Sequence, residues 1–187
     1  MYQLLMPGTN TPYIDNVGGA FSMFDQMIAA TGGLSLAQVC SITGIEPTTV
    51  QNWVKRGFIA NPVRKKYHQR QISRILIINA LRECMQLEQI VTLLRYLNGD
   101  VEDSSDDNIS ECELYDYFCK ITSCIDIEKG ISKEKSDFII KSTIQGFKGP
   151  HTDSYQRLYK TLSVAVCAYI AGRYKKEADL LFNQLEV

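Results

Sequence analysis

Apolar residues in this chain return at steps of three and four, the period of a helix with one buried face. The runs stop at glycine, proline or acidic clusters. The first run, Ala20–Ala30, puts Phe21, Phe24, Met27 and Ile28 on one stripe and ends at Gly32-Gly33. A shorter run follows Ser35, a suitable N-cap, with Leu36, Val39, Cys40 and Ile42 facing inward and Gly44 closing it. Pro47 fits the first turn of the next helix, expected over Pro47–Arg56. That helix buries Val50, Trp53 and Val54 and turns Thr48, Thr49, Gln51, Asn52 and Lys55 outward. After Gly57, Asn61-Pro62 makes a turn and Val63–Tyr67 returns as a short strand, a small wing. Two longer helices follow, Arg70–Cys84 and Leu87–Leu97, the second with apolar residues at 87, 90, 91, 94 and 97.

The pattern then changes. Asn98–Ser110 (NGDVEDSSDDNIS) reads as an acidic, mobile linker with nothing to bury. Beyond it, Ser110 and Glu113 have capping-box spacing before a helix over Leu114–Cys124, and Ser132 introduces another over Lys133–Gln145. A broad apolar face recurs from Tyr155 to Ile170. Gly172 is expected to break that helix, leaving a last one over Arg173–Leu185 with Ala178, Leu181, Phe182 and Leu185 as its stripe. The periodicity therefore predicts an all-α protein with a small wing in four parts: an arm and short helix (1–33), a helical head (34–97), a linker (98–110) and a four-helix C-terminal unit (111–187).

Charge sharpens this division. Between Leu34 and Arg82 stand eight basic residues and one acid, Glu46, a net +7, whereas the whole chain carries −1. A basic block inside an acidic protein is the electrostatic footprint of a phosphate-binding surface. The order of motifs points the same way. T-G-I-E-P-T-T-V-x-x-W-x-x-R-G, then K-x-Y, then I-x-x-I-L-I-I-x-A-L-R and L-E-Q-I, resembles the winged helix-turn-helix head of MerR-like transcription regulators, a bacterial family. The resemblance covers about Leu34–Leu97. It implies double-stranded DNA as partner, the second short helix in the major groove and the wing on the backbone. By resemblance the DNA-contacting roles fall on Thr48, Thr49, Gln51, Asn52, Lys55, Arg56, Arg64, Lys65, Lys66, Tyr67 and Arg70. One departure is that Gln51-Asn52 precede Trp53 where the family commonly has Arg-Tyr, which removes an expected phosphate contact.

The side-chain chemistry agrees with a non-enzymatic reading. Gln51 and Asn52 carry amides able to pair with adenine, and Lys55 or Arg56 can reach guanine or phosphate. A second reading keeps the head as a docking module of a protein-interaction adaptor; four uncharged polar side chains (Thr48, Thr49, Gln51, Asn52) on the outer face of the Pro47–Arg56 helix favour DNA over it. Cys112 and Cys119 lie two helical turns apart, but no His or Cys stands at i+3 or i+4 to complete a metal set, so these and Cys124 read as structural thiols. Neither of the two histidines sits in a nucleophile–base motif, and no cofactor-binding motif is present. Tyr115, Tyr117, Phe118, Phe138 and Phe147 fit either a ligand pocket or plain core packing. No apolar run approaches the ~18 residues of a membrane helix. The N-terminus lacks a secretion signal, so a cytoplasmic location is expected. The C-terminal stripe Tyr155–Ile170 is the candidate surface for a homodimer, which would present two heads to DNA.

Overall fold

A computed structural model describes residues 5–13, 19–105, 107–126 and 130–185. Among these residues there are eight helices and no strand, only isolated bridge pairs: α1 Ser22–Thr31, α2 Leu36–Thr43, α3 Pro47–Lys55, α4 Gln69–Leu81, α5 Leu87–Asn98, α6 Glu111–Ser123, α7 Lys133–Thr143 and α8 Ser154–Phe182. Caps set several of these bounds. Ser35 and Gln38 form a reciprocal capping box at α2, and Ser110 and Ser132 accept from the third backbone N–H of α6 and α7. Met27, expected on the inner stripe of α1, is exposed, while Phe21, Phe24 and Ile28 are buried.

The fold is organised around α4. Ten of its thirteen residues are buried, because α1, α2, α5, α6 and α8 all pack on it. Its buried polar side chains each find a partner: Ser73 Oγ donates to the Gln69 carbonyl (2.9 Å), Gln71 Nε2 to the Asn61 carbonyl (2.9 Å), and Arg74 pairs with Glu111. The arm is held on α4 and α6. Asn79 Nδ2 donates to the Gly8 carbonyl at 2.9 Å, and the Tyr115 hydroxyl donates to the Pro7 carbonyl at 2.8 Å. The other expected arm residues, 1–4 and 14–18, lie outside the described residues.

Three expectations are corrected here. Segment 98–110 is not a solvated linker: Val101, Asn108 and Ile109 are buried, and the amides of Asn98 and Asn108 cross-brace the loop through the Ile109 and Leu97 carbonyls. Ser154 Oγ donates to Asn108 Oδ1 at 2.6 Å, which fastens the loop to α8. One continuous cluster of buried side chains consequently runs from Met6 through the head to Ile170. Second, Gly172 does not break the last helix. α8 continues through it, and a Cβ there would lie 3.1 Å from Glu83 Cβ, so the glycine lets α8 pass close to the α4–α5 turn. The C-terminal part thus has three helices among the described residues, with α8 about 43 Å long at 1.5 Å per residue. Third, the proposed dimer stripe is largely internal: Leu158, Leu162, Val166 and Ile170 are buried in the chain's own core, leaving Tyr155 exposed.

Candidate nucleic-acid interface

α2 and α3 meet across the Gly44 turn, and α3 anchors itself inward with Val50 and Trp53, which are 0% and 2% exposed. Its other side is uncovered. Thr48, Gln51, Asn52, Lys55 and Arg56 are exposed and Thr49 is half-buried. Among the described residues, no other side chain hydrogen-bonds to Thr48, Thr49, Gln51, Asn52 or Lys55. Arg56 differs: its guanidinium stacks 4.4 Å above the Phe58 ring and pairs with Glu88 at the start of α5. Backbone hydrogen bonding at that helix start, then the Arg56 guanidinium, hold the Glu88 carboxyl below its usual range. Both members of the pair are at least half exposed, so it contributes little stability and leaves Arg56 available to a stronger anion.

The segment expected as a wing is a minimal hairpin. Val63 and Lys66 exchange both backbone hydrogen bonds (3.0 and 2.9 Å), and the two residues between them, Arg64 and Lys65, have φ of 50° and 63°. Left-handed conformation at both central positions is the signature of a tight I′-type turn, which ordinarily takes Asn-Gly. Here two long cations occupy it, at a cost of roughly 1–2 kcal/mol per residue. The base of the hairpin is tied down by Leu34 and Tyr67, whose backbones bond both ways at 2.8 and 2.7 Å. Gly33, at φ 105°, makes room: a Cβ there would stand 2.8 Å from Lys66 Cβ.

The eleven sequence-derived residues therefore divide. Thr48, Thr49, Gln51, Asn52, Lys55 and Arg56 lie along α3, and Arg64, Lys65 and Lys66 lie on the hairpin, with Lys66 half-buried. Tyr67 does not belong with them. It is 4% exposed, part of the core, and its burial raises the hydroxyl pKa. Arg70 is also diverted: its Nη2 donates to the Asp103 carbonyl (2.8 Å) and the Asp100 carbonyl (3.3 Å), and pairs with Asp107 (3.2 Å). Arg74, counted in the same basic block, is 3% exposed, with Nε on the Phe58 carbonyl at 2.7 Å and Nη1 on Glu111. Arg82 lies over the Trp53 ring at 5.8 Å. The basic block is not one surface. The sequence does not mark Glu88, Asp107 and Glu111 as the partners that allot these cations, because each stands more than thirty residues from its arginine with no local pattern to link them.

Other candidate chemistry is dispersed. Among the described residues, no group of three or more His, Cys, Asp or Glu is placed to hold a metal ion. Burial raises the Cys112 thiol to about 11 and pushes Cys119 far up, whereas Cys124 is exposed. The five aromatic rings do not converge: Tyr115 and Phe118 are in the core, Tyr117 packs edge-on against Phe147 at 6.4 Å, and Phe138 is 73% exposed.

Residues 22–118, more than half of the 187-residue chain, match the model of a family described as a domain of unknown function, DUF1836. The chain belongs to that family. The DUF1836 segment begins at α1 and ends in α6, so it includes α3, the hairpin and both partners of the Arg70–Asp107 and Arg74–Glu111 pairs. The chain is also similar to the uncharacterized protein YkrK of Bacillus subtilis (strain 168), 27% identical over 134 residues, which is 70% of this chain. The alignment spans 55% of that relative's length. No solved structure matches the chain. No helix among the described residues is long and apolar enough to cross a membrane.

Proposed function

We propose that this chain is a cytoplasmic, sequence-specific double-stranded DNA-binding transcription regulator with a MerR-like winged helix-turn-helix head. In this reading α3 enters the major groove and the 63–66 hairpin serves as the wing on the flanking backbone. The outer face of α3 carries the proposal. It is uncovered, it offers the amides of Gln51 and Asn52 and the hydroxyls of Thr48 and Thr49, and it holds no acid. Asn and Gln amides pair in bidentate fashion with adenine, and a groove ~12 Å wide admits one helix. The hairpin supports the same reading, since Arg64 and Lys65 make no ion pair among the described residues and sit in a conformation that folding alone would assign to glycine or asparagine. Lys55, Arg56, Arg64, Lys65 and Lys66 would then supply the phosphate contacts that Arg70 does not.

Salt-titrated gel shifts on selected and random duplexes test the proposal. Five phosphate contacts per head correspond to a slope of about −4.5 in log affinity against log salt. Arg56→Ala and Lys66→Ala should weaken binding to every duplex and each flatten the slope by about one; Gln51→Ala should change which sequence is preferred. Absence of binding in the wild type, or three variants indistinguishable from it, would leave α3 as a protein-docking face.

A further inference from the structure

Where the N-terminal arm crosses the end of α4, the chain encloses a cavity of about 200 Å³ against the middle of α8. Its walls are fixed by backbone contacts. The arm lies directly on α4, since a Cβ at Gly8 would stand 2.1 Å from the Leu76 carbonyl oxygen. Asn79 Nδ2 donates to the carbonyls of Gly8 (2.9 Å) and Thr43 (3.1 Å), and the Asn10 N–H donates to the Ile42 carbonyl at 2.9 Å. With its amide nitrogen committed twice, Asn79 has only an acceptor, Oδ1, left to offer. Three cations line the cavity, Arg82 from the end of α4 and Arg173 and Lys176 from α8, against one acid, Glu83, a net +2. Glu83 is taken up by Lys176 in a loose pair at 3.6 Å. Arg82 and Arg173 make no ion pair and donate no hydrogen bond among the described residues.

The geometry points to a binding site here for a small polyanion, a compound carrying two or more phosphate or carboxylate charges. Two guanidinium groups with vacant donor forks take such groups in bidentate fashion, and a net +2 is what a doubly charged ligand neutralises. Cations along one helix are ordinarily a solvated face; these stand on two helices and meet at a concave junction walled by backbone. Burial raises the Tyr169 hydroxyl pKa, and the Arg173 charge beside it opposes the rise, so that guanidinium lies on the Tyr169 side of the cavity. The volume sets the size of the ligand. It falls below the ~300–1,000 Å³ of sites for drug-sized molecules, so the occupant is a compact ion with room for little besides its charged groups. Part of the wall belongs to the head: Thr43 precedes the Gly44 turn into α3, and Arg82 lies 5.8 Å from the ring of Trp53, which anchors α3. A bound anion would therefore tie α8 and the arm to the head. The site rests on these side chains alone and does not depend on DNA being the ligand of α3.

Isothermal titration calorimetry of the full chain, without DNA and at constant ionic strength, tests the site with pyrophosphate and with citrate as probes. The wild type should bind at least one of them at one site per chain. Preference for pyrophosphate assigns the ligand to phosphate compounds and preference for citrate to polycarboxylates; either upholds the site. Arg173→Gln, at an exposed position on α8, should weaken binding about 10- to 100-fold through loss of a charge-assisted hydrogen bond, with unchanged helical circular dichroism. Glu83→Gln should tighten binding, because it removes the acid and frees Lys176. The double variant Arg64→Ala, Lys65→Ala should bind as the wild type does. The proposal is overturned if neither anion binds at millimolar concentration, or if Arg173→Gln binds like the wild type. Loss of binding in the Arg64, Lys65 double variant also overturns it, since the anion would then sit on the hairpin.

Discussion

The basic block of this chain divides at the end of its hairpin, and the two parts use the same kind of residue for opposite ends. On α3 and the 63–66 turn, Lys55, Arg64 and Lys65 are exposed, and the turn keeps its cations in a conformation that long side chains rarely adopt. On α4, Arg70 and Arg74 face inward and bond to the loop and helix that follow α5. A guanidinium with five donors suits the second task, because it satisfies carbonyls and a carboxylate together. Position relative to α4, and not charge, decides which role a cation takes: an element buried all round turns its basic side chains into braces.

The largest effect is expected on the inner side. Arg74→Ala leaves Glu111 buried without its partner and should cost about 3–5 kcal/mol in urea unfolding. Arg74→Met combined with Glu111→Leu should recover most of that loss. If both variants unfolded like the wild type, the distinction between brace and surface would collapse.

On the outer side, the double substitution Arg64→Ala, Lys65→Ala should lower the salt slope of DNA binding by about two while leaving the unfolding midpoint close to that of the wild type. Lys65→Gly should raise stability by up to about 1 kcal/mol by relieving the left-handed backbone, and still weaken binding. Arg70→Ala sharpens the comparison from between the two. Its ion pair is only partly buried, so a loss of about 1 kcal/mol is expected, with little change in the salt slope.

The smallest effect concerns the thiols. In a thiol-labelling time course near pH 8, Cys84 and Cys124 should react before Cys112 and Cys119, with no change in stability at that pH. The Cys112 pKa is raised from 9.0 to about 11 in the folded chain, so its contribution is complete below pH 9. It declines as the unfolded chain ionises first, between pH 9 and about 11. Measured stability should therefore fall with rising pH across that window, and less steeply in Cys112→Ala.

Much of the architecture was legible locally. Ser35, Gly44 and Pro47 each act within one helical turn, so the bounds of α2 and α3 follow from neighbours in sequence. The inward set Val50 and Trp53, and the outward set Gln51, Asn52 and Lys55, follow from the helical period. Segment 98–110 was misread because its acids are visible, whereas the two asparagines that brace it, Asn98 and Asn108, look like any loop amides until their carbonyl partners come near. Gly172 was misread as a helix stop because composition does not distinguish a breaking glycine from one that admits a neighbour. Tyr67 and Arg70 take their DNA-contacting roles from the resemblance, and Arg74 enters only as a charge in the basic block; their burial depends on partners that no local pattern marks.

The sequence by itself determined the bounds of α2 and α3 and the face α3 turns inward, because those depend on contacts three or four residues apart. Only the tertiary structure decided which cations remain available. That allotment depends on Asp107, Glu111 and Glu88, each more than thirty residues from the arginine it holds, and on the burial of α4 that brings them within reach.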